Sequence, residues 1–150
     1  MGGYSSEVDI SLKSGEVVYQ NISKEMYNTY KVHILKNKWV VVDDNNHEFF
    51  INKHDFSTEI DGKKINFDCV FNAIHGHPGE DGTILAYFNL IGLKHTSAPY
   101  YQMALTFNKR DCLSVVKQYG IKTAASFYLD KGNTINVDEI LVIKFYWKRR

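Results

Sequence analysis

The residues best suited to chemistry in this chain run without a break as His75-Gly-His-Pro-Gly-Glu-Asp-Gly-Thr83. The apolar run Phe67-Asp-Cys-Val-Phe-Asn-Ala-Ile74 leads into them, and an amphipathic stretch, Ile84 to Ile91, follows. A strand, then a glycine-rich loop with histidines and carboxylates, then a helix is how α/β enzymes place reactive groups at the carboxyl end of a strand. His75 directly follows the strand, so its ring can project into the crevice beyond the sheet edge. Gly76, Gly79 and Gly82 permit positive φ and close approach of a ligand to backbone. Free N–H groups at the start of the next helix suit an anion such as a carboxylate. The same spacing fits a plain strand-to-helix turn with Glu80 and Asp81 as acidic capping residues, which is the commoner use of such a loop.

Two further residues stand where chemistry is feasible. Glu7 follows a Gly-Gly turn and opens a helix, so its carboxylate can either reach the same crevice and bind an amine or complement the helix dipole. Lys109 also opens a helix. Lysine prefers the opposite helix end, so this placement suits a phosphate as well as plain solvation. His75 and His77 form an HxH pair with no evident third ligand, so no metal site is expected in this chain. No nucleophile elbow, Walker-type loop or CxxC pair is present.

These residues need elements to hold them. Val8, Leu12, Gly15 and Tyr19 recur at helical spacing, with Glu7 and Asp9 in the first turn and Ser5 or Ser6 as cap. Tyr30, Val32 and Ile34 alternate as a strand, Trp39 to Val42 follows as a second, and Glu48 to Ile51 as a third. The polar stretch 53–66 reads as mostly loop, with a short pairing around Asp61-Gly62. Asp68 to Ile74 suits a strand buried on both faces of a parallel sheet. Helices are expected over Ile84 to Ile91, ended by Gly92, then over Ala98 to Leu105 and Lys109 to Tyr119, ended by Gly120. A short strand is expected over Leu93 to Thr96, another over Ala124 to Leu129, and a helical turn over Val137 to Leu141. The order of elements says α/β.

The chain has 150 residues, 44% of them hydrophobic, which is enough for one domain with a real core. A net charge of +1 gives no bulk drive toward nucleic acid or membrane. No apolar run is long enough to span a bilayer, and the amino terminus lacks a signal-peptide pattern, so a cytoplasmic location is expected. The two cysteines, Cys69 and Cys112, sit in apolar stretches and read as reduced core thiols.

Taken together, Gly2-Gly-Tyr-Ser-Ser-Glu-Val-Asp-Ile-Ser-Leu12, the loop His75 to Thr83 and Asn108-Lys109 at a helix start resemble the amino-terminal part of the D-alanine–D-alanine ligases. The HGxxGEDGT loop combined with the GGxSSE opening is highly specific, and the likeness runs from residue 2 to about 139. Leu93-Lys94-His95 departs from the family's proline segment after Leu90-Ile-Gly. The resemblance implies a parallel-sheet, Rossmann-like pre-ATP-grasp domain over residues 1–105, the beginning of the central ATP-grasp domain over 106–140, and an atypical tail over 141–150. It implies an ATP- and Mg²⁺-dependent ligation: one D-alanine is phosphorylated on its carboxylate and a second attacks the acyl phosphate, giving the dipeptide for peptidoglycan.

Position by position, the resemblance gives Glu7 the ammonium of the first D-alanine and His75 its carboxylate and the acyl-phosphate oxygens. Gly76 and Gly79 become backbone supports of that site, Glu80 a supporting or capping residue, and Lys109 a contact to ATP phosphate. It also implies a homodimer through this region. The family's first strand precedes the Gly-Gly turn, and most of its ATP and Mg²⁺ ligands follow residue 150. The expectation is therefore a fragment, with an internal start at Met1 and a frameshift near residue 140. Such a fragment is expected to be inactive alone, and poorly soluble or dimeric because its sheet edges are exposed.

Overall fold

The computed structural model describes residues 1–126, 130–132 and 134. It divides into a unit over Met1–Asn108 and a second over Lys109–Arg150. The first unit opens with a two-residue strand, β1 (Gly2–Gly3), and a 14-residue helix, α1 (Val8–Asn21). Strands β2 (Lys31–Leu35), β3 (Trp39–Val42), β4 (Glu48–Asn52), β5 (Ser57–Ile60) and β6 (Lys63–Ile65) follow. Then come β7 (Cys69–Val70), α2 (Thr83–Leu90), β8 (Lys94–His95) and α3 (Tyr100–Phe107).

The first six strands form one sheet in chain order, and β7 and β8 form a separate pair. The α/β class is as expected, while the expected parallel pairing makes up only part of a mixed arrangement. Among the described strands only β1–β2 and β7–β8 run parallel; β2 through β6 are an antiparallel meander. The cause is connection length, because two to five residues suffice for a hairpin whereas a parallel return needs a crossover. The turn at 61–62 shows it: Asp61 and Gly62 both have positive φ, 50° and 71°, as a two-residue hairpin of the type that matches strand twist requires. The stretch 53–66, expected to be mostly loop, is therefore largely a hairpin, with Ile60 opposite Lys63.

Strand β3 is central and buried on both sides: Val40, Val41 and Val42 are all buried. Its neighbours alternate. On β4, Ile51 is buried while Phe50 stays exposed. One face of the sheet packs Ile34, Val41 and Ile51 with Phe56, Ile74, Ile84, Leu85 and Phe88 into a single core. Phe56 stands at its middle, with the rings of Trp39, Phe67, Tyr87 and Phe88 edge-on around it at 5.0 to 6.2 Å between centroids. Helix α2 supplies Ile84, Leu85 and Phe88 from one face, the periodicity its sequence predicts. Helix α1 meets the amino terminus at Gly15, where an added Cβ would lie 2.6 Å from the Met1 Cβ. Only glycine lets Met1 lie that close.

Two expectations fail around residues 68–74. The run is not a strand buried on both faces: only Cys69 and Val70 pair, and Phe71 is exposed. The Asn72 side chain takes the Ile74 N–H at 3.1 Å, a local bond that competes with a ladder. Cys69 is consequently exposed rather than a core thiol, Cys112 is half-buried, and both are free.

In the second unit, α4 (Lys109–Gln118) begins at Lys109 and gives way to Gly120 at φ 72°. Residues 124–126 belong to no strand. The expected elements at 127–129 and 137–141, and the tail 141–150, lie outside the described residues. Among the described residues no helix is long and apolar enough to cross a membrane.

Candidate functional site

The site grows from β1 and the turn into α1. Ser11, on the buried stripe of α1, is fully buried and must find partners. Its hydroxyl accepts from the Gly2 N–H at 2.8 Å and donates to the Ala73 carbonyl at 2.7 Å. One side chain thus joins β1, α1 and the segment entering the glycine loop. Replacing it leaves a buried N–H and a carbonyl without partners, so Ser11→Ala should cost about 2 kcal/mol. Urea melts should show a lower midpoint with an unchanged slope.

The loop is tied to the same segment by backbone. Tyr4 N–H donates to the His77 carbonyl at 2.8 Å, and the Ser5 hydroxyl donates to the His75 carbonyl at 3.1 Å. Ser5 Oγ also accepts from the Glu7 N–H at 3.2 Å. Gly76, at φ 69°, lies against both residues: a Cβ there would stand 2.7 Å from Ser5 Oγ and 3.1 Å from Glu7 Oε2. Glu7 and the loop, 69 positions apart between residues 7 and 76, are thereby brought together. The Glu7 side chain is exposed and makes no cap bond to its own helix. His75 is half-buried, with Nε2 3.0 Å from Ser14 Oγ on α1.

Within the loop, Glu80 and Gly76 bond reciprocally. The Gly76 N–H donates to Glu80 Oε2 at 2.9 Å, and the Glu80 N–H donates to the Gly76 carbonyl at 2.8 Å, in the manner of a capping box. Gly79, buried against Ile74, donates to the Gly76 carbonyl at 2.9 Å. Asp81 accepts from Thr83 N–H at 3.1 Å and pairs with His77 Nδ1 at 2.5 Å. Burial pushes the Asp81 carboxyl up, but the hydrogen bonds from His77 and Thr83 outweigh it and hold the group below its usual range. Most N–H groups expected to receive an anion are therefore occupied: those of Gly76, Gly79, Glu80, Thr83 and Ile84 all have protein partners. Beside this internally bonded loop stand the Glu7 carboxylate, against Gly76, and the His75 ring, bonded to Ser14.

Lys109 is exposed at the first position of α4, in the second unit. Among the described residues no group of three His, Cys, Asp or Glu side chains is arranged to hold a metal ion. Sequence reasoning singles out Glu7, His75 and the loop as candidates and gives no role to Ser11 and Ser14. Their signal is present: serines at positions 11 and 14 fall beside Val8, Leu12 and Gly15 on the buried stripe of α1, where a hydroxyl needs a partner.

A carboxylate at a helix start thus lies beside a histidine-bearing glycine loop in a mixed α/β unit. The family model described as D-ala D-ala ligase N-terminus matches residues 1–98, and the chain belongs to that family. It is 64% identical over 141 residues to the D-alanine–D-alanine ligase of Flavobacterium johnsoniae, covering 94% of this chain and 44% of that protein. It is 53% identical to the one from Christiangramia forsetii, covering 94% and 43%. The chain thus spans less than half the length of these curated relatives. Among solved structures, D-alanyl-alanine synthetase A from Vibrio cholerae superposes with a TM-score of 0.77 at 23% identity, covering 97% of this chain and 44% of that one. The D-alanine–D-alanine ligase from Coxiella burnetii superposes at 0.79 and 21%, covering 97% and 48%. At such identities the likeness shows the fold.

Proposed function

We propose that Glu7 and the loop 75–83 form one wall of a D-alanine site in a D-alanine–D-alanine ligase. The observation that carries this reading is the Glu7 carboxylate lying against Gly76, next to His75. Glu7 accepts the ammonium of the amino acid. His75 faces its carboxylate as a donor. Gly76 and Gly79 keep side chains out of the way, and Glu80 holds the loop closed from behind. An amino-acid zwitterion presents the complementary pair of charges.

The family implies ATP and Mg²⁺, and a D-alanine–D-alanine ligase from Bacillus anthracis complexed with ATP has this fold, with a TM-score of 0.63. The described residues do not themselves fit Mg-ATP. Lys109 is the one residue we assign to an ATP phosphate, and no carboxylate cluster accompanies it. The role read here is therefore substrate binding, in the cytoplasm and in a homodimer as the family resemblance implies. The 150-residue chain alone is expected to release no phosphate from Mg-ATP and D-alanine, because the charges that would stabilise a phosphoryl transition state are not among the described residues.

Equilibrium dialysis against labelled D-alanine tests the binding role. Glu7→Gln keeps the shape but loses the charge-assisted bond, worth about 2 kcal/mol, so retention should fall roughly 30-fold. Equal retention by wild type and variant, or Glu7-dependent phosphate release by the chain alone, would sink the proposal as stated.

A further inference from the structure

Ser14 is a residue the proposed role does not use, yet among the described residues it makes the one hydrogen bond to the His75 ring. Its Oγ lies 3.0 Å from Nε2. The other ring nitrogen, Nδ1, has no hydrogen-bond partner among the described residues and is not among the buried atoms left unpaired, so solvent reaches it. The His75 carbonyl is separately held by Ser5. Backbone and ring are thus fixed from the same chain segment that carries Glu7.

The Ser14–Nε2 contact admits either direction, according to which ring nitrogen carries the proton. Helical hydroxyls often donate to the carbonyl four residues back. Ser114 does so to Arg110 at 3.0 Å, and Thr106 to Gln102 at 2.8 Å. Ser14 makes no such bond; its partner is Nε2. A hydroxyl that donates to Nε2 makes that nitrogen the acceptor, and a neutral imidazole then carries its proton on Nδ1. We propose that Ser14 is a positioning residue for His75: its hydroxyl fixes the neutral ring as the Nδ1–H tautomer and leaves that N–H as the donor offered to a bound carboxylate. The functional half of this inference rests on the reading of His75 as a substrate-side group; the tautomer does not.

Nitrogen NMR of the His75 ring, recorded on the 150-residue chain without ligand at alkaline pH, reads the tautomer directly. Wild type should show a protonated Nδ1 and a bare Nε2. Ser14→Ala should shift the ring toward the Nε2–H form, and Ser14→Thr, which keeps the hydroxyl, should restore the wild-type pattern. An Nε2–H ring in wild type, or no change in Ser14→Ala, overturns the pairing; the wild-type spectrum decides even if a variant fails to fold. D-alanine dialysis then tests the positioning role. Ser14→Ala should weaken retention roughly fivefold, the worth of one neutral hydrogen bond, with rescue by threonine. A shifted tautomer with unchanged retention overturns the role. Should wild type retain no D-alanine while showing the Nδ1–H ring, the substrate reading fails and the pairing is supported.

Discussion

Gly79→Ala is expected to destabilise the first unit by about 3–4 kcal/mol, more than ordinary overpacking of a core. The cause is steric. A Cβ at position 79 would stand 2.6 Å from the Ile74 Cβ and 2.7 Å from its carbonyl oxygen. Neither atom can rotate away, since both are set by the backbone, and Ile74 is itself buried in the core. Moving it disturbs Ile84 and Leu85 and pulls on the segment that carries His75. The comparison is Gly62→Ala in the hairpin turn, where nothing lies within 4 Å but φ is 71°. That variant should lose only about 1 kcal/mol, the cost of a side chain in the left-handed region. Urea denaturation of both variants checks the pair. Equal losses would mean that Gly79 is not clamped between the loop and Ile74.

Stability of the 150-residue chain with a free Met1 amino group should fall steeply as pH drops from 8 to 5. The Met1 ammonium donates to the Val32 carbonyl at 2.9 Å, and burial lowers its pKa from 8.0 to about 5. In this window the unfolded chain binds the proton and the folded chain resists it, so protonation favours unfolding as pH falls. The full contribution is present above pH 8 and is gone below about pH 5. Each tenfold weakening of proton binding is worth about 1.4 kcal/mol, so the loss reaches about 4 kcal/mol. His33 acts in the same direction, because burial, then the amino terminus and then Lys31 all lower its pKa. Melts at pH 8 and pH 5.5 measure the difference. Acetylating the amino group turns it into an amide and should remove most of it; an equal pH dependence after acetylation would assign the effect elsewhere.

Elements are legible in the sequence wherever a periodic apolar face meets a clear stop. Trp39 to Val42 is legible with its observed bounds, and α2 within a residue, because Ile84, Leu85 and Phe88 share one face and Gly92 follows. Polarity misleads over 53–66. Ser57, Thr58 and Lys63 look like loop, but Thr58 donates to the Phe50 carbonyl and Phe56 turns inward to the centre of the core. The opposite error arises at 68–74, where apolar residues suggest burial and Phe71 stands in solvent. Pairing direction is hidden because it is set by turn length, which hydrophobic pattern does not encode. In the candidate site, type and spacing single out Glu7, His75 and the glycines but fit plain capping as well, and the roles given to them come from the family resemblance. The hydroxyls of Ser11 and Ser14 signal only that a partner is needed; which partner, 61 or 62 positions away, the sequence does not say.

The central claim is that Glu7 and the loop 75–83 face one small zwitterion together. Amide NMR of the 150-residue chain, titrated with D-alanine, tests it most directly. Saturable shifts should concentrate at Ser5, Glu7, His75 and Gly76 and should vanish in Glu7→Gln, while the hairpin at Asp61-Gly62 stays still. Shifts of equal size in Glu7→Gln, or shifts that leave Gly76 and His75 untouched, would contradict the account.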